Sequence, residues 1–126
     1  MSDESVKVLV RKSGVPFQMG DGKNWKLLYP EMGSDKITLN YCEHQPGATF
    51  TPHVHEESVD VIIVLQGSGE IVSNDDTVEF QAGDVLYVPP GVYHGTTNTG
   101  DETLVIFFFN DTAATEIYTG EKDRQS

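Results

Sequence analysis

Cysteine is almost absent from this sequence: Cys42 stands alone among 126 residues. No intrachain disulfide can form, and a four-cysteine zinc site is excluded. A chain of this length buries a hydrophobic core without such staples, so a reducing cytoplasm is the expected setting. Basic residues are scarce too. Eight lysines and arginines face twenty aspartates and glutamates, for a formal charge of -12. That balance argues against nucleic acid, whose phosphates need a basic face, and against anionic membranes. The excess acid reads as solvated surface. Long apolar runs are missing as well. "LVIFFF" is far too short to span a bilayer, and "MSDESVKVLV" lacks the basic start and apolar core of a signal peptide. One domain over residues 1–126, with no nucleic-acid or membrane partner, is the expectation.

Helical periodicity is the next absence. No window of useful length repeats apolar residues at three- and four-residue spacing, and Gly, Pro and Asn interrupt throughout. Short period-two or wholly apolar runs take its place: "VKVLV", "WKLLY", "KITLNYCEH", "ATFTPHVH", "DVIIVLQ", "GEIVS", "TVEF", "VLYVP" and "TLVIFFF". Turn formers separate them, among them "QPG", "GSG", "SNDD", "AGD" and "NTGD". Some nine short strands at even spacing predict an all-β, antiparallel barrel or two-sheet jelly roll, with its core over about 36–110. "DVIIVLQ" does not alternate, which predicts a strand covered on both faces. Tyr41, Phe50, Ile62, Val64, Phe107 and Phe109 are the core candidates.

Four histidines are present: His44, His53, His55 and His94. In a strand, residues two apart point to the same side, so His53 and His55 offer two imidazoles to one face. Asp60 opens the next strand and can add a carboxylate oxygen. His94 follows "VPPGVY", where Pro89, Pro90 and Gly91 would turn the chain and aim a side chain inward. Three histidines and one carboxylate suit Mn, Fe, Ni, Co or Zn rather than Ca or Mg. The His-x-His pair alone is a weak signal, and on it alone packed or exposed histidines are the better reading.

The wider pattern adds to the pair. Gly47, His53, His55, Asp60 and Gly67 fit a motif of Gly, five residues, His-x-His, three or four residues, an acid, six residues, Gly. Gly83, Pro89, Gly91, His94 and Asn98 fit a second: Gly, five residues, Pro-x-Gly, two residues, His, three residues, Asn. The chain resembles the cupin superfamily, which is marked by these two motifs. The 15 residues between them, Ser68 to Ala82, match the short form of small microbial cupins. The resemblance implies a cupin-type barrel, one divalent transition metal held by His53, His55, Asp60 and His94, and pairing as a homodimer. The apolar "VKVLV" stretch, as an open sheet edge, would be covered by such a partner.

The family usually has Glu where this chain has Asp60, one methylene shorter. Asp60 is therefore expected to ligate directly, to reach the metal through water, or to leave a three-histidine site. Glu56 and Glu57 read as solvated loop charges, and His44 as an edge or surface residue. Cys42 is not expected to be an activated thiolate. Asn98 reads as a turn cap. Tyr93 could supply a phenol as proton carrier, although a packed aromatic is the plainer reading of it and of Tyr87.

The resemblance implies a metal-dependent enzyme on a small oxygen-rich substrate, carboxylate, enolisable or sugar-like. A dioxygenase or a Lewis-acid lyase or isomerase would fit. A non-catalytic small-molecule binder is the alternative. Finally, "FFFNDTAATEIYTG" resembles the translation of a sequencing-library adapter, so the tail from about 111 to 126 is expected to be non-native or frayed.

Overall fold

In the computed structural model residues 5–111 are described, together with the backbone of 118–119. The strands are β1 (Val15–Phe17), β2 (Lys23–Leu28), β3 (Ile37–His44), β4 (His53–Val54), β5 (Asp60–Gln66), β6 (Ser68–Ser73), β7 (Asp76–Gln81), β8 (Val85–Val88), β9 (His94–Asn98), β10 (Leu104–Asp111) and β11 (Tyr118–Thr119). One sheet has the order β1-β2-β3-β10-β5-β8, the other β11-β4-β9-β6-β7. Every pairing is antiparallel. Among the described residues, helix is confined to two 3-10 turns, Arg11–Ser13 and Pro30–Met32.

The core lies between the sheets. Cys42, Ile62, Val64, Val88, Leu104, Ile106 and Phe108 come from the first sheet, Ile71 and Phe80 from the second, and Phe50 from the segment before β4. Alternation selects these residues: inward Asp60, Ile62 and Val64 on β5 are buried, while Val61 and Ile63 are only half-buried and Leu65 is exposed. The expected double-sided cover of this strand is therefore partial. The outer face of the first sheet is covered instead at β2 and β3. There the Arg11 guanidinium lies 5.1 Å from the Tyr41 ring centre and the Lys12 ammonium 5.9 Å from that of Trp25.

Three expectations are corrected. "VKVLV" forms no strand, and Val6 and Val8 are 95% and 88% exposed. A period-two pattern needs an edge to pair with, and β1 already occupies the edge beside β2. The second correction concerns Phe107 and Phe109, which are half-buried on the outer face while Ile106 and Phe108 point inward. A run of three phenylalanines carries no polar phase to say which face is which. Third, "ATFTPHVH" is a strand only at His53–Val54; Phe50 and Thr49 make isolated bridges to Gly20 and Thr97, and Pro52 cannot donate to a ladder. "HGTTN", not among the nine expected strands, pairs with β4 and β6 as a mostly buried strand. Its polar composition hides it from any propensity argument.

The expected tail lies outside the described residues apart from Asp111 and 118–119. Asp111 ends β10, where its carboxylate accepts a hydrogen bond from the Ser58 hydroxyl. The Asn110 amide donates to the Val59 carbonyl at 3.0 Å. Together they tie down the segment that leads into Asp60. No helix among the described residues is long and apolar enough to cross a membrane.

Candidate metal centre

The pairing of β4 with β9 sets His53 directly opposite His94 in the second sheet. His55 follows β4 by one residue, and Asp60 opens β5 in the first sheet, held between Val88 and Asn110. All four side chains are 1–4% exposed. One potential ligand atom from each lies within 4.8 Å of the others. Gly91 shapes the approach: its φ of 81° is left-handed, and its N–H donates to the His55 carbonyl at 2.7 Å. A side chain there would be strained, although nothing blocks the space. The "PPG" turn thus anchors the loop before His94 to the strand that carries the His-x-His pair.

Two of the three imidazoles are oriented by backbone. His53 Nδ1 donates to the Thr51 carbonyl at 2.9 Å, and His94 Nδ1 donates to the Val92 carbonyl at 2.8 Å. In both cases the acceptor is two residues upstream, and in both Nε2 keeps its lone pair for another partner. His94 Nε2 then faces Asp60 Oδ2 at 3.0 Å, with His55 Nε2 at 4.0 Å from the same oxygen. A bare imidazole lone pair and a carboxylate oxygen repel at that distance, so the pair needs a cation, a proton or a metal ion, between its members. Among the described residues, Asp60 Oδ1 and His55 Nδ1 are buried without a hydrogen-bond partner.

Burial pushes His53 and His55 down from the usual 6.5 to about 4, helped in each case by the adjacent His94. Both are neutral near pH 7, the form that ligates metal. A divalent ion with bonds of about 2.1 Å spans at most about 4.2 Å between opposite ligands. Small rotations would therefore close this cluster on an ion, and the donor set fits a divalent transition metal. The shorter Asp60 side chain still brings Oδ2 within hydrogen-bond distance of His94 Nε2 and so into the cluster.

The remaining residues fall outside this cluster. Glu56 and Glu57 are exposed. Tyr93 is half-buried, and its N–H donates to Asn74 Oδ1 at 3.1 Å. Asn98 caps its turn: it donates to the carbonyls of His44 and Glu102 and accepts from the Gly100 N–H. Cys42 is fully buried, and burial raises its thiol well above the ordinary range.

His44 was expected at an edge or surface and is instead completely enclosed. Its ring stacks on Phe50 at 5.7 Å and its Nε2 lies 3.4 Å from Asn24 Oδ1. Gly22 leaves the space for it, since a Cβ there would stand 1.9 Å from His44 Cδ2. Burial lowers this imidazole to about 4 as well. Its position two residues beyond Cys42 on β3 is the signal that sequence offered, because both share the inward face.

A cupin domain model matches residues 40–110, and the chain belongs to the cupin family. Germin-like protein 5-1 from Oryza sativa subsp. japonica is 31% identical over 87 residues, 64% of this chain and 39% of the relative. The 1-hydroxy-2-naphthoate 1,2-dioxygenase of Nocardioides sp. (strain KP7) is 28% identical over 110 residues, 84% of this chain and 27% of the relative. This chain thus spans well under half the length of both. Among solved structures, the polyketide cyclase RemF from Streptomyces resistomycificus superposes with a TM-score of 0.77 at 22% identity, covering 95% of this chain and 89% of that one. A predicted oxalate decarboxylase from Thermotoga maritima gives 0.71 at 24% identity, over 90% and 99%. At these identities the structural likeness establishes the fold alone.

Proposed function

We propose that this cupin is a metal-dependent enzyme acting on a small oxygen-rich substrate, as a dioxygenase or a Lewis-acid lyase or isomerase. The observation that carries the reading is the His94–Asp60 contact, two groups that need a cation between them in a buried four-residue cluster. His53, His55, Asp60 and His94 would hold one divalent ion, Mn, Fe, Ni, Co or Zn. When bound, the ion supplies Lewis acidity at a substrate oxygen and, if iron, a site for oxygen chemistry. The chain's own groups do the rest. The Thr51 and Val92 carbonyls hold the His53 and His94 imidazoles in one tautomer, and the two sheets bury all four side chains. Tyr93, half-buried and adjacent to His94, is the proton carrier in this reading. The names of the relatives, a dioxygenase among them, suit the same class of chemistry.

The second reading is a non-catalytic binder. It draws on Tyr93, whose observed bond is a backbone one to Asn74 rather than one to the cluster. Turnover separates the two. With each metal loaded in turn, an enzyme consumes dioxygen or exchanges the α-proton of an enolisable carbonyl compound in D2O, and Tyr93→Phe slows exchange at least tenfold with metal content unchanged. Binding without either reaction in any metal form supports the binder. We further propose one domain that pairs as a homodimer in a reducing cytoplasm, with the exposed Val6–Val10 stretch as the covered face.

A further inference from the structure

The edge strands of the two sheets, β7 and β8, flank an open cleft of about 250 Å³. Its walls are Ile71, Val78, Val85, Leu86 and Val92. Val85 and the neighbouring Tyr87, on the edge strand β8, are 62% and 64% exposed. Of the four clustered residues, His94 alone also lines this cleft. The cleft therefore runs from an apolar, solvent-open surface to His94, with Ser73 and Tyr87 as the other polar residues lining it.

Charge narrows what can enter. From Ile37 to Glu121 the chain has no lysine and no arginine. Among the described residues no lysine or arginine lines the cleft. A small dianion such as a dicarboxylate would have to shed its water with only the metal to offset two charges, in a chain of net charge -12. A polyhydroxylated sugar would leave most of its hydroxyls facing valine and leucine. A molecule with an apolar ring body and a single oxygen head meets neither cost. A cavity of roughly 150 Å³ lined by aliphatic side chains accepts benzene, so this one accommodates one or two fused rings.

We infer that the substrate of this site is a neutral or singly charged phenol or enolisable ketone with a one- or two-ring apolar body, seated in the β7–β8 cleft with its oxygen directed past His94 to the metal. The inference rests on the metal-centre reading above and specifies the substrate class for it. Val78 and Val85 are then specificity-determining residues at the mouth of the cleft.

The test uses the full chain loaded with metal, metal content measured in every sample, and two probes, 2-naphthol and oxalate, titrated by calorimetry. The wild type binds 2-naphthol at least tenfold more tightly than oxalate. Val85→Trp, an exposed edge substitution that narrows the mouth, weakens 2-naphthol at least tenfold while metal content stays the same. Val78→Arg, which adds a guanidinium, reverses the order of the two probes. Oxalate preferred by metal-loaded wild type overturns the substrate class and leaves the metal centre standing. Equal 2-naphthol affinity in wild type and Val85→Trp overturns the location. A dimer that Val85→Trp converts to monomer overturns it too, because a second copy would then occupy the cleft. Absence of metal from every sample overturns the metal reading and this inference with it.

Discussion

Three enclosed histidines make this fold sensitive to acid, and His44 offers the cleanest way to measure it. His44, His53 and His55 are all lowered to about 4 from the usual 6.5, burial being the first cause in each. A group whose folded value is depressed contributes stability that is present above its unfolded value and lost as pH falls through the folded one. The window is therefore between about 6.5 and 4. At pH 5 the unfolded imidazole is almost wholly protonated and the folded one roughly a tenth protonated, so each histidine forfeits about 2 kcal/mol relative to pH 7. That is a large share of the roughly 5–15 kcal/mol that holds a domain together. His44 lies outside the metal cluster, so His44→Gln changes the slope without touching the ligands. Urea denaturation of metal-free protein at pH 7, 6 and 5 reads both. The wild type loses several kcal/mol over that range, and His44→Gln loses about 2 kcal/mol less, whatever the absolute cost of the substitution. Equal losses in the two proteins would refute the reasoning, because His44 would then titrate as if exposed.

Two more predictions follow from the same end of the molecule. Gly22→Ala places a methyl 1.9 Å from the His44 ring, and the resulting overpacking lowers stability by about 1–3 kcal/mol in urea denaturation; an unchanged midpoint would mean that His44 moves aside freely. Asn98→Ala removes three hydrogen bonds around a buried turn and costs about 2–4 kcal/mol by the same assay, whereas a loss under 0.5 kcal/mol would show that water replaces them.

The clustering of the four candidate ligands was legible because strand geometry constrains it. A His-x-His pair must share a face, and the flanking glycines and prolines mark the turns that aim His94. The fold class followed from short alternating runs. What sequence hid was long-range. His44 is enclosed by Gly22, just before β2, and Asn24 on it, about twenty residues upstream, and no local pattern announces them. "HGTTN" becomes a strand only because β4 and β6 flank it. "VKVLV" alternates well yet finds no edge to join. The two carbonyls that fix the tautomers belong to Thr51 and Val92, and backbone acceptors leave no mark on side-chain identity. Ser58 and Asp111, which tie down the approach to Asp60, are likewise paired only by the meeting of β10 with a distant loop.

The central claim is that His53, His55, Asp60 and His94 hold one divalent metal, and the direct measurement is metal content. Protein purified without a metal-affinity tag is assayed by elemental mass spectrometry beside a His53→Ala/His55→Ala variant, both before and after reconstitution. The account predicts close to one Mn, Fe, Ni, Co or Zn per chain in the wild type and almost none in the variant. No metal in the reconstituted wild type, or the same content in both proteins, would contradict it.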